Sequence, residues 1–148
     1  MSLNEKPFTP GWKDVMRRAR NEAGYLNGCI GPEHLLLAII RKGEGLAVQV
    51  LLNLDVDLDK LKGAVDERIP HGGQPAAATA PLSPEALRVV EVSHEFASEF
   101  GHNWIGTEHM LLALVKEEAT PAGQALKSLC VKIEEAKREA MALIEGCR

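Results

Sequence analysis

The sequence predicts an all-α protein: two pseudo-symmetric four-helix repeats packed into one eight-helix domain. Three observations carry this expectation. An eleven-residue, largely apolar phrase occurs twice, 75 residues apart. Apolar residues recur at helical spacing in both halves, and no stretch alternates convincingly as a half-buried strand does. The composition is 45% apolar and only 4% aromatic, with abundant Ala and Leu, which favours helices over a β-sandwich.

The phrase Ile30-Gly31-Pro32-Glu33-His34-Leu35-Leu36-Leu37-Ala38-Ile39-Ile40 returns as Ile105-Gly106-Thr107-Glu108-His109-Met110-Leu111-Leu112-Ala113-Leu114-Val115. Seven of the eleven positions are identical and three more are apolar exchanges. Downstream, Ala47, Gln49, Leu51, Leu54 and Val56 recur as Ala122, Gln124, Leu126, Leu129 and Val131. Upstream the offset is 74, so the first repeat is one residue shorter just before Ile30. Internal repetition of this kind marks a supersecondary unit used twice. The boundaries are repeat 1 at 8–70, a linker at 71–82 and repeat 2 at 83–146. The linker is rich in Gly, Pro and small residues. Each repeat alone is about 65 residues, a marginal size, so the two are expected to pack as one unit.

The first helix starts after Thr9, with Pro10 at the first helical position; Ser83-Pro84 repeats that start. Trp12, Val15, Met16, Ala19, Ala23 and Leu26 form its buried stripe. Ala86, Val89, Val90, Ser93, Ala97 and Phe100 form the stripe of its counterpart. The second helix opens at Gly31-Pro32-Glu33, where the missing Pro N–H costs nothing. It is apolar all round from Leu35 to Ile40 and should be the most buried element; Gly43 and Gly45 end it. The third covers about Leu46–Asn53. The fourth starts near Asp57, with Leu58, Leu61, Val65 and Ile69 on one side. Their counterparts are about Pro121–Ser128 and Lys132–Glu145, the latter with Ile133, Ala136, Ala140 and Ile144 as its stripe.

Bulk features narrow the function. Net charge is −4 with both signs dispersed, which argues against a nucleic-acid binder. No apolar run approaches the ~20 residues of a membrane span. Met1–Lys6 has no apolar stretch of the secretory kind. The three cysteines, Cys29, Cys130 and Cys147, form no Cys-x-x-Cys pair. They read as reduced thiols of a cytoplasmic protein, Cys29 and Cys130 partly buried and Cys147 exposed.

The phrase Gly101-His102-Asn103-Trp104-Ile105-Gly106-Thr107-Glu108-His109-Met110-Leu111-Leu112-Ala113-Leu114 resembles the repeat signature of the Clp N-terminal domain, especially of the ClpC type. Phe8-Thr9-Pro10 resembles that domain's opening. The resemblance spans about Phe8 to Ile144, with both copies. It implies an all-α double repeat seated on an ATP-driven unfoldase ring. It further implies a non-catalytic module that recruits protein substrates and adaptors, works with the Clp ATPase ring and peptidase indirectly, and needs no cofactor. The chain contains no Gly-x-x-x-x-Gly-Lys-Ser/Thr phosphate loop, so the ATPase modules are not in it. An excised N-domain and a stand-alone adaptor or competitor without an ATPase both fit. An enzyme is the third reading, and it lacks a legible nucleophile with a base. When isolated the domain is expected to be a monomer without nucleic-acid or membrane partners.

The resemblance also implies two phosphoarginine pockets, one per repeat. Carried over by motif, the first uses Thr9 and Glu33, and the second Ser83 and Glu108. The chemistry suits those residue types: a helix start attracts phosphate, and a carboxylate pairs with a guanidinium. Pro32 stands where the family motif has Thr, removing a hydroxyl and an N–H. That shifts weight to the second pocket, which keeps Thr107. A plainer reading stands beside this one. Thr9 and Ser83 are ordinary N-caps, each worth ~1 kcal/mol, and Glu33 and Glu108 are acids favoured by the helix dipole.

Two further features read as structural. In Glu33-His34 and Glu108-His109, adjacent helical side chains diverge by about 100°, which opposes a shared metal ion. His34 and His109 are expected to pack or hydrogen-bond near the helix starts. Lys13, Arg17, Arg18 and Arg20 read as a solvated basic face.

Overall fold

The computed structural model describes residues 7–22, 29–68 and 82–146. Ala23, Leu26, Ile69, the linker through Pro81, and Cys147 lie outside the described residues. Within them the chain forms eight α-helices: α1 Pro10–Glu22, α2 Pro32–Lys42, α3 Leu46–Asn53, α4 Leu58–Asp66, α5 Pro84–Glu99, α6 Thr107–Lys116, α7 Pro121–Ser128 and α8 Ile133–Gly146.

The 75-residue repeat survives in fine detail. Helices α3 and α7 have the same length and the same offset at both ends. Asp55 and Cys130, 75 apart, are the only described non-glycine residues with positive φ, at 61° and 63°. Each turns the chain between the short third helix and the fourth, so both repeats use the same turn. Helix starts follow local chemistry. The hydroxyl of Thr9 accepts the Trp12 N–H at 3.1 Å, and that of Ser83 accepts the Ala86 N–H at 3.1 Å. The carboxylate of Asp57 caps α4 by accepting from Asp59 and Lys60. Gly43 ends α2 in the left-handed region, at φ 67°, where a side chain is disfavoured.

Helices α2 and α6 are the centre of the molecule. Leu35, Leu36 and Ala38 on α2 and Met110, Leu112, Ala113 and Leu114 on α6 have no exposed surface. Helix α1 packs against α2, and α5 against α6. The short helices reach across: α3 packs on α6 and α8, and α7 packs on α2 and α4. One hydrophobic cluster therefore contains residues of both repeats. Full burial of each Leu or Ile contributes about 1.5–3 kcal/mol, and neither half alone would keep that burial.

The stripes appear largely as expected where they are described; near the end of α8 it is Leu143, three residues after Ala140, and not Ile144 that packs on the core. Trp12, Val15 and Ala19 on α1, and Ala136 and Ala140 on α8, are buried. The basic residues of α1 face solvent, and Asp14 braces them. It pairs with Arg17, with Arg18 at 3.1 Å and with Lys42 of α2 at 2.8 Å. Those bonds, Lys42 first, hold its carboxyl down at about 2.

Two features differ from the sequence reading. Cys29 and Cys130 are exposed, not partly buried. Cys29 sits beside the fully buried Ile30 in non-helical backbone, where neighbouring side chains point to opposite sides; Cys130 is carried outward by the left-handed turn. The second difference is two isolated parallel bridges, Phe8 to Ile105 and Ile30 to Leu82. Each joins the start of one repeat to the turn of the other.

Candidate functional site

Those two bridges decide which site residues meet. The Thr9 N–H donates to the Ile105 carbonyl at 3.0 Å, and the Ile105 N–H donates to Pro7 at 2.9 Å. The Ser83 N–H donates to the Ile30 carbonyl at 2.9 Å. Ser83 therefore lies beside the Gly31–His34 turn, and Thr9 beside the Gly106–His109 turn. Grouping the residues within repeats, Thr9 with Glu33 and Ser83 with Glu108, is corrected by this geometry. Each hydroxyl sits with the carboxylate motif of the opposite repeat.

Both Gly-x-Glu-His turns are built alike. The histidine at the third helical position turns back and caps its own glycine. The Gly31 N–H donates to His34 Nδ1 at 2.8 Å, and the Gly106 N–H to His109 Nδ1 at 2.9 Å. The expectation that these histidines bond near the helix starts is met. The glutamate folds over the same glycine. A Cβ on Gly31 would lie 2.4 Å from Glu33 Oε1, and one on Gly106 would lie 2.1 Å from Glu108 Oε1. At either place a larger residue would displace the carboxylate, a move that Glu33 can make toward the cleft and the buried Glu108 cannot. Among the described residues no group of three or more His, Cys, Asp or Glu side chains is arranged to hold a metal ion.

The two turns differ in what surrounds them. Glu33 is half-buried on the wall of a cleft of about 430 Å³, together with Cys29, Ser83, Glu85, Thr120 and Pro121. Three helices begin at this cleft: α2 at Pro32, α5 at Pro84 and α7 at Pro121. Helix starts carry partial positive charge and N–H groups without helical acceptors. Two carboxylates, Glu33 and Glu85, face the same space. The cleft thus offers complementary fields to a ligand with both a cationic and an anionic end.

Around the second turn the corresponding groups are engaged internally. Thr107 is buried, and its hydroxyl accepts the Ala47 N–H at the start of α3, at 3.4 Å. Glu108 is only 2% exposed. Its carboxylate accepts the Trp104 indole N–H at 3.3 Å, and burial pushes its pKa up. Trp104 stacks on His102 with ring centres 4.5 Å apart, and His102 Nδ1 lies 2.8 Å from His109 Nε2. Burial, then the neighbouring His102, lowers the His109 pKa to about 3. Among the described residues His34 Nε2 is buried without a hydrogen-bond partner, and burial lowers its pKa too.

A sequence model of the Clp repeat (R) N-terminal domain matches residues 7–129. The chain belongs to the Clp N-terminal domain family. The ClpB chaperone of Oceanobacillus iheyensis is 35% identical over 138 residues, covering 93% of this chain and 17% of that protein. ClpC/MecB of Bacillus subtilis, called a negative regulator of genetic competence, is 35% identical over 140 residues with the same two coverages. The chain thus spans 17% of the length of these curated relatives. The fold agrees with the Hsp104 N-terminal domain from Candida albicans, with a TM-score of 0.76 at 18% identity over 93% of this chain and 91% of that one. It also agrees with the ClpD N-terminal domain from Arabidopsis thaliana, with a TM-score of 0.68 at 21% identity over 97% of each chain. No helix among the described residues is long and apolar enough to cross a membrane.

Sequence reasoning missed three lining residues of this Clp N-terminal domain: Cys29, Glu85 and Thr120. For Thr120 a signal was present. Thr120-Pro121 is a third hydroxyl-Pro helix start, after Thr9-Pro10 and Ser83-Pro84. Its hydroxyl accepts the Gly123 N–H at 3.0 Å.

Proposed function

We propose that this domain recruits protein substrates and adaptors to a Clp-type ATP-dependent unfoldase, reading a phosphoarginine side chain at the Glu33–Ser83 cleft. Membership of the Clp N-terminal domain family supports the recruiting role. The observation that carries the ligand is the meeting of three helix starts with two carboxylates in one cleft. Phosphoarginine has the matching polarity. Its phosphoryl group suits the N–H groups at the starts of α5 and α7, with the Ser83 hydroxyl beside them; the Thr120 hydroxyl already donates to the Glu117 carbonyl at 2.8 Å and serves as the α7 cap. Its guanidinium suits Glu33. No covalent chemistry is required, so the role is binding and delivery, with hydrolysis of ATP and peptide bonds left to the ring and peptidase of the assembly.

Titration calorimetry of the domain with free phosphoarginine tests this. A charge-assisted contact is worth about 1.5–3 kcal/mol, so Glu33→Gln should weaken binding about ten- to hundredfold. Saturable binding lost in that variant supports the reading. No heat at millimolar ligand, with the protein folded, rejects it in favour of recognition of unmodified segments.

A further inference from the structure

The Trp104 side chain sits where repeat 1 has Cys29, at the 75-residue spacing. It makes the difference between an open and a closed copy of one motif. The indole N–H bonds the Glu108 carboxylate. The indole face is fixed from the other side by His102, stacked almost parallel at 10°. His102 is fixed in turn by His109, whose other nitrogen caps Gly106. Both nitrogens of His109 are thus committed. Nδ1 accepts from Gly106, so Nε2 carries the proton and donates to His102 Nδ1. The chain Gly106–His109–His102–Trp104–Glu108 closes on itself over a single turn.

We infer that Trp104 is a lid that holds Glu108 out of reach, leaving this double repeat with one open acidic site instead of two. The closure rests on geometry alone; its consequence for ligand number rests on the guanidinium-binding reading of the Glu33 cleft. Opening the lid requires Trp104 to leave both its hydrogen bond and its stack. The second copy is then a site for the same ligand class, available only once the indole swings out. Cys29, short and unable to cover Glu33, leaves the first copy open without any such step.

Labelling of carboxylates in the folded domain with a water-soluble carbodiimide and an amine, read by peptide mass spectrometry, tests the lid without any ligand. Coupling needs a protonated carboxyl, which favours the buried Glu108, so slower labelling there reports shielding. In the unmodified protein Glu33 should label at least about tenfold faster than Glu108. In Trp104→Cys, Glu108 should approach the Glu33 rate. Trp104→Phe keeps a ring over His102 without the N–H, and should give an intermediate rate if the cysteine variant does not fold. Equal rates in the unmodified protein, or a Glu108 rate unmoved in a folded variant, overturn the proposal. Phosphoarginine titration of the same proteins separates the two ideas. A stoichiometry rising from one to two in Trp104→Cys supports both. Labelling as expected with no ligand bound by either protein keeps the lid and rejects the ligand.

Discussion

At Gly31–His34 the Glu33 carboxylate borders an open cleft, whereas at Gly106–His109 the Glu108 carboxylate is buried under Trp104. Glycine, glutamate and histidine are the same in both turns, and the histidine caps the glycine in both. Two differences flank the isoleucine–glycine pair, and a third is Asn27 against His102, which stacks on Trp104. Position 29 or 104 is Cys or Trp, and position 32 or 107 is Pro or Thr. Thr107 spends its hydroxyl on the start of α3, while Pro32 offers none and leaves the α7 start to Thr120. A duplicated motif therefore need not give duplicated sites: the shared residues build the turn, and the variable neighbours decide whether it is reachable.

The sharpest way to break this comparison is to move the lid. Cys29→Trp should cover Glu33 and weaken phosphoarginine binding about as much as Glu33→Gln does, about ten- to hundredfold. Binding that survives in a folded variant would show that cover is not what separates the turns. Next come the two glycines. Both have ordinary backbone angles, φ −101° at Gly31 and −114° at Gly106, so alanine acts only through its collision with the carboxylate. In Gly106→Ala the buried Glu108 has nowhere to go, and unfolding by urea should show a loss of about 2–3 kcal/mol. In Gly31→Ala the Glu33 side chain swings into the cleft, and the loss should stay below about 1 kcal/mol.

Acid should distinguish the turns more gently. The His109 pKa is about 3 in the folded chain, against an ordinary 6.5. The unfolded chain then holds the extra proton between those values, so its stability relative to the fold grows as pH falls. The His109 contribution is complete above about pH 6.5 and is lost progressively toward pH 3. Unfolding free energies from urea titrations at pH 7 and pH 5 should differ by about 1–2 kcal/mol on this account. The difference should shrink in a folded His109→Gln variant, which cannot take up that proton.

Much of the fold was legible because it rests on local rules. Pro10, Pro84 and Pro121 at helix starts, Asp57 as a cap and Gly43 as a stop each act within one turn of chain. The doubled phrase revealed the architecture because α2 and α6 are buried all round, and such helices have few free positions to vary. The site was less legible because its residues meet through the bridges Phe8–Ile105 and Ile30–Leu82. Pairing across repeats is a tertiary event with no local signal, and the motif carried over from the family resemblance pairs the residues within a repeat. Thr107 misled for a related reason. Its hydroxyl matched the family motif, yet its direction depends on α3 from the other repeat. Trp104 carried no signal of its role either, since its indole works only through the stack on His102 and the bond to Glu108.

The most direct measurement is calorimetric titration of phosphoarginine into three proteins side by side: the unmodified domain, Glu33→Gln and Glu108→Gln. The account predicts one site per chain, lost in Glu33→Gln and kept with unchanged affinity in Glu108→Gln. Two sites in the unmodified domain, or binding lost in Glu108→Gln and kept in Glu33→Gln, would contradict it.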